Sequence, residues 1–273
     1  ASVLYGLASC SRQDWENMVQ GQLETWASDL PRESLIIVGG AHDDFHRGLA
    51  PQARIPCQDS PNSMPCKEAS ILYMAVDRAQ MLNSRWLFVG QDDKYVFTDD
   101  LADILSEYDP DEPQIFAAVG CGLSWEHGHP GEARPAGVRQ PPFSCQAVWE
   151  KGGICGGPGY VVSRAALHRL RSEGQSMASF LEEFQRAANT TRGGASDIFA
   201  SCFFYSRDIA IKQWSKKYKC VDVTGSFESG EDVTADLEQQ TQSWQKKKPS
   251  ALHVRVPKRL VPTAMRAVRV LYK

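Results

Sequence analysis

Two adjacent carboxylates, Asp92 and Asp93, follow directly on the apolar run Trp86-Leu87-Phe88-Val89-Gly90, with Gln91 before them and Lys94-Tyr95-Val96 after. A buried strand that ends on two acids needs a partner for their charge, because burying an unpaired charge is costly. Mg²⁺ or Mn²⁺ is a natural partner: such a cation takes one or two carboxylates and fills its other positions with phosphate oxygens and water. The pattern therefore predicts a diphosphate site. A solvated acidic turn would show the same two letters, and the apolar strand in front of them argues against it.

Two further segments carry chemistry. Ser196-Asp197 stands before the apolar stretch Ile198 to Phe204, so Asp197 is placed either to take a proton from an attacking hydroxyl or to cap a helix. In Gly156-Gly157-Pro158-Gly159-Tyr160 the glycines let backbone approach a ligand closely, though a plain turn before a helix has the same composition. Ser9 and Arg12 follow the first apolar run, and Gly39-Gly40 with His42, Asp43 and Asp44 follow the second. These are the candidates for holding a nucleotide, Arg12 bringing charge to a diphosphate. His127 and His129 have a metal-like spacing, but no cysteine or acid completes a zinc set in their Gly/Pro-rich surroundings.

The elements that must position these residues read as a parallel-sheet protein. VLYGLAS is a strand. Trp15, Val19, Leu23 and Trp26 form a helical stripe after it, and SLIIVGG is a second strand, making a β-α-β opening. A helix over residues 67–83, the strand RWLFVG, the helix LADILSEY and the strand IFAAVG follow. Residues 121–145 form a Gly/Pro-rich loop long enough to suggest a functional role, with Trp125, His127 and Phe143 as acceptor-contact candidates. GYVVS leads into the helix RAALHRLRSEG, then SMASFLEEFQRAAN and ASDIFASCFFYS continue the pattern. From about Gly225 the composition turns polar and charged and residues 230–250 show no clear period, so this stretch is expected to be mobile loop or peripheral structure, the core closing before it. A strand at ALHVRV and a basic helix end the chain.

Composition narrows the class. The 273 residues are 42% hydrophobic, enough for a substantial core, and a formal net charge of -3 gives no broad basic field for nucleic acid. Eight cysteines without a CxxC pair, the sequon Asn189-Thr190-Thr191 and seven tryptophans point to an oxidising lumen. Cys57 and Cys66 close a short Pro-rich segment that little else would hold. No signal peptide or long apolar span is present in the 273 residues, so a luminal protein would have its anchor ahead of Ala1.

The motifs together resemble those of fringe and related β-1,3-glycosyltransferases. WLFVGQDDKYV resembles the family's acidic motif, in which an aromatic strand runs into three acidic residues and then x-Tyr-Val. QLETW resembles the Leu-Glu-Thr-Trp that ends its first helix, GGPGYVVSRAAL its Gly-Gly-Ala-Gly-aromatic motif, and Ser196-Asp197 falls where the family has paired acids. The resemblance implies an α/β fold of GT-A type, a Rossmann-like nucleotide-binding mixed sheet flanked by helices. It implies one catalytic domain over residues 1–273, the nucleotide sugar held by the N-terminal half and the acceptor and base by the C-terminal half. The implied activity is inverting transfer from a UDP-sugar to a hydroxyl of a glycan or glycoprotein, with Mn²⁺ or Mg²⁺, in the Golgi or ER lumen or outside the cell.

In that scheme Asp93 coordinates the metal, Asp92 assists with the ribose or the metal's waters, Asp197 is the base, and Gly156, Gly157 and Tyr160 line the donor and acceptor pocket. The family's second metal ligand is a histidine in Phe-His-x-His. Here the nearest match is Phe227-Glu228-Ser229-Gly230, so either Glu228 supplies an oxygen or His253 comes in from the last strand. Gln91 replaces the first acid of the motif, which weakens or alters metal choice. Those two departures keep a second reading open, a degenerate domain that binds nucleotide sugar or glycan without turnover. A phosphohydrolase would need a second metal cluster that the sequence does not offer.

Overall fold

The computed structural model describes residues 2–9, 13–39, 55–58, 60, 63–122, 145–188, 196–214, 217–224, 229–247 and 249–272. In chain order the first elements are β1 (Val3–Ala8), α1 (Gln13–Leu23), β2 (Leu35–Val38), α2 (Met64–Met81), β3 (Trp86–Gln91), β4 (Lys94–Val96) and α3 (Thr98–Ser106). Then come β5 (Gln114–Ala117), β6 (Val119–Cys121), α4 (Gln146–Lys151), β7 (Gly153–Ile154), β8 (Tyr160–Ser163), α5 (Arg164–Leu170), α6 (Met177–Ala187) and α7 (Ser196–Ser206). The last are β9 (Ala210–Gln213), β10 (Cys220–Thr224), α8 (Gly230–Lys247), β11 (Ala251–Arg255) and α9 (Val261–Tyr272).

Six strands form the main sheet in the order β2-β1-β3-β8-β5-β9. β1 runs parallel to β2 and β3, while β8 is antiparallel to both β3 and β5. Its central strands are apolar over most of their length because both faces are covered. Alternate residues divide between two cores: Leu4, Ile36 and Leu87 pack under α2, α5, α6 and α7, and Tyr5, Ile37 and Phe88 pack under α1, α3, α8 and α9. This is the fold class read from the sequence, α/β with a mixed sheet flanked by helices. A three-stranded sheet, β10-β11-β4, lies beside it.

The region expected to be peripheral is α8. Val233 and Leu237, four residues apart, are fully buried and help close the second core, so the core does not end before Gly225. The helix was invisible to periodicity because, among its described side chains, only Val233 and Leu237 are buried. It packs against α9.

Three disulfides join Cys57 to Cys66, as the short loop suggests, Cys121 to Cys155, and Cys145 to Cys202. Cys220 is unpaired among the described residues. No helix of the described residues is long and apolar enough to cross a membrane.

Gly159 shows how tightly the glycine segment is seated. Its φ is +73°, and an added Cβ would lie 2.6 Å from Cζ of Phe88 and 2.8 Å from the carbonyl oxygen of Val89. Gly159→Ala is expected to cost about 2 kcal/mol or more, because left-handed strain and a clash with backbone add. A urea midpoint that stays at the wild-type value would contradict this seating.

Candidate active site

Ala8 pairs with Gln91 across β1 and β3, so the residues just past both strands, Ser9 and Asp92, emerge side by side. Ser9 Oγ donates to Asp92 Oδ2 at 2.6 Å, and Lys67 Nζ from α2 donates to the Ser9 carbonyl at 2.5 Å. Asp92 is 1% exposed, and its Oδ1 has no partner among the described residues. Burial pushes its carboxyl up to about 8, against the Ser9 hydrogen bond, which favours the charged form. A buried carboxyl oxygen left open in this way is ready for a ligand's hydroxyl, such as that of a ribose, which can donate or accept.

Asp92 and Asp93 form the turn at which the chain leaves the main sheet through β3 and enters the small sheet through β4. The register of that small sheet sets Asp222, His253 and Lys94 in one row across β10, β11 and β4. Residues paired in register share a face. His253 Nδ1 accordingly lies 3.1 Å from Asp222 Oδ1, and its Nε2 lies 3.3 Å from Asp93 Oδ2. The buried Lys94 ammonium pairs with Asp93 Oδ1, and the Asp93 carbonyl accepts from the Val254 N–H at 2.9 Å. Burial alone would raise the Asp93 carboxyl; Lys94 and His253 outweigh it and hold it well below the ordinary carboxylate range.

Asp197 sits in the first turn of α7. Its Oδ2 accepts from the Gly156 N–H at 2.8 Å and its Oδ1 from the Ile198 N–H at 3.0 Å. Burial raises its carboxyl, and these backbone bonds partly offset the shift. Ser201 ties the helix to β7, donating to the Asp197 carbonyl and accepting from the Ile154 N–H. The carboxylate thus reaches across to the glycine segment as well as bonding within its own turn.

The glycines join the two halves. A Cβ on Gly156 would be 3.1 Å from Asp197 Oδ2, and one on Gly157 would be 3.1 Å from His253 Nδ1. Asp197, Gly156, Gly157, His253 and Asp93 therefore form one continuous row of contacts. Tyr160 is placed differently: it is 3% exposed, and its hydroxyl donates to Glu68 Oε1 at 2.6 Å, beneath the site.

A divalent cation could use Asp93 Oδ2 and His253 Nε2. Asp222 behind the imidazole fits that role, since metal-bound histidines commonly give their other N–H to a carboxylate. Among the described residues no group of three or more His, Cys, Asp or Glu could hold a metal ion alone. The remaining positions are then left to phosphate and water. Arg12, Gly40, Asp43 and Glu228 lie outside the described residues, as do His42, Asp44, Trp125, His127, His129, Phe143 and the Asn189 sequon.

No family model matches the sequence, and no curated protein is significantly similar to it. Among solved structures the chain is similar to a glycosyltransferase involved in glycosylation of the major capsid of PBCV-1. Identity is 9% and the TM-score 0.49, covering 97% of this chain and 99% of that one. It is also similar to mannose-1-phosphate geranyltransferase from Thermus thermophilus, at 14% identity and a TM-score of 0.42 over 83% of each chain. A third is mouse xyloside xylosyltransferase 1, at 10% and 0.40 over 93% of this chain and 97% of that one. At such identities and scores these likenesses carry no weight for activity.

Asp222, Glu68 and the Lys94 ion pair went unseen in the sequence. Asp222 had a signal: in Cys220-Val221-Asp222-Val223-Thr224 it stands between two valines, as a strand residue facing away from the core does.

Proposed function

We propose that this chain is an inverting, UDP-sugar-dependent glycosyltransferase of GT-A type, related to the fringe-like β-1,3-transferases and acting on a hydroxyl of a glycan or glycoprotein in the secretory lumen. The row of contacts from Asp197 through the two glycines to His253 and Asp93 carries this reading. It sets a candidate base and a candidate diphosphate site on either side of two glycines. The three disulfides support the lumen.

In the transfer, the acceptor oxygen attacks the anomeric carbon as Asp197 takes its proton. The bond from that carbon to the β-phosphate oxygen breaks, its electron pair leaves with UDP, and configuration inverts. Burial that raises the Asp197 carboxyl makes it a stronger base. Gly156 holds the carboxylate through its N–H, and Ser9 fixes Asp92 with one oxygen free for the nucleoside. A divalent cation, when bound by Asp93 and His253, supplies positive charge to the departing diphosphate. Lys94 adds fixed positive charge beside it.

One observation favours the binding-only reading: Lys94 already neutralises one Asp93 oxygen, and Gln91 contributes no charge. Calorimetry of UDP with Mn²⁺ and then with EDTA, followed by a hydrolysis screen of UDP-sugars, separates the possibilities. Micromolar binding lost in EDTA together with turnover supports the transferase. Binding without hydrolysis of any donor supports the module, and no binding in either condition rejects the transferase and leaves a degenerate domain that does not take nucleotide.

A further inference from the structure

Glu68 takes no part in the scheme above, yet it is a buried acid close enough to feel the charge of the proposed base. It lies on α2, 6% exposed, and forms no ion pair among the described residues. Its partners are two hydroxyls: Tyr160 Oη donates to Oε1 at 2.6 Å, and Ser196 also hydrogen-bonds the carboxyl. Ser196 opens the helix that carries Asp197, and Tyr160 follows the glycines that bind it. One side chain therefore braces both segments that hold the Asp197 carboxylate.

An apolar residue would fill this core position at lower cost, since a buried acid without a cation is destabilising. The cost points to a use. We propose that Glu68 is the positioning residue for Asp197, holding Ser196 and Tyr160 from beneath and keeping its own proton so that no second charge faces the Asp197 carboxylate. This rests on the reading of Asp197 as the base.

The two environments divide the roles. Asp197 accepts two backbone N–H bonds, which favour its charged form, while Glu68 sits deep in the core with an oxygen able to carry a proton. Burial raises both carboxyls, and the two differ in what opposes it, backbone N–H groups at Asp197 and hydroxyls at Glu68. The groups facing Glu68 are Tyr160 from β8 and Ser196 and Asp197 from α7; Asp197 charge opposes its ionisation. Burial, the largest influence, lifts Glu68 from 4.5 to about 7, against the two hydroxyl hydrogen bonds. Because the folded value lies above the unfolded one, the folded protein keeps a proton the unfolded chain has released, and stability falls as pH rises from 4.5 to about 7.

The test uses wild type, Glu68→Gln, which mimics the protonated acid, and Ser196→Ala, which leaves the core volume intact. Melting temperature and the pH dependence of kcat and KM are measured from pH 5.5 to 9. Wild-type kcat should fall past about pH 7, where the ionised Glu68 repels the Asp197 carboxylate and disturbs its seating, while donor KM stays level. Glu68→Gln should turn over without that fall and melt higher than wild type at pH 8.5. Ser196→Ala should move the inflection to higher pH, since that hydrogen bond favours the ionised form. If Glu68→Gln gains its melting temperature at pH 8.5 but its kcat profile superimposes on wild type, Glu68 is only a buried acid and the proposal falls. A Ser196→Ala inflection that does not move overturns it as well, even if Glu68→Gln fails to fold. A wild type that neither binds UDP nor turns over rejects the transferase reading itself, a result distinct from superimposed profiles in an active enzyme.

Discussion

Asp93→Ala is expected to abolish Mn²⁺-dependent UDP binding. Loss of an outer partner of a metal ligand typically costs 10 to 100-fold in metal affinity, and loss of the ligand itself costs more, so an effect above about 100-fold is expected. A second effect competes. Lys94 is 1% exposed and pairs with Asp93, and removing one partner of a buried pair destabilises by about 3–5 kcal/mol. A partly unfolded protein would also fail to bind. Asp93→Ala/Lys94→Met removes both charges and should recover much of the lost stability while binding stays absent. Calorimetry on both variants, with melting curves alongside, checks this, and micromolar Mn²⁺-dependent binding by the double variant would sink the assignment of Asp93.

Asp197→Asn is expected to remove turnover while UDP affinity stays within a few-fold. General base catalysis contributes roughly 10²–10⁴-fold, so kcat should fall by about that much. The amide keeps one oxygen, which can still accept from the Gly156 or the Ile198 N–H, and the substitution barely changes volume. Stability should therefore change little, which makes this variant cleaner than Asp93→Ala. Single-turnover kinetics with the preferred UDP-sugar give the number. Full activity would leave Asp197 with only its helix-turn role.

The order in which the sequence became readable follows the physics of burial. β1, β2 and β3 were plain because strands covered on both faces are continuous apolar runs, and α2 and α6 because their stripes repeat at helical spacing. The carboxylate turn stood out for the same reason, two charges where apolar letters stop. α8 was hidden because, among its described side chains, only Val233 and Leu237 are buried, and two apolar letters among polar ones read as a loop. Glu68 was hidden in the opposite way: a charged letter inside a helix reads as surface, and only the tertiary fold shows Tyr160 and Ser196 closing over it. The side-chain direction of Tyr160 was equally beyond the sequence, since a tyrosine after glycines suits a pocket wall or a core. His253 was legible as the middle of an alternating strand, but its neighbour Asp222 depended on the parallel register between β10 and β11.

The crosslinks Cys121–Cys155 and Cys145–Cys202 have an evolutionary corollary. They fix both ends of the stretch between Cys121 and Cys145, one end to the start of the glycine segment and the other to α7, five residues past Asp197. Doubling the length of a tethered stretch costs only about 0.6 kcal/mol in closure entropy. Between those two posts residues can be gained, lost or exchanged while Gly156 and Asp197 keep their anchorage, so variation there is uncoupled from the seating of the site.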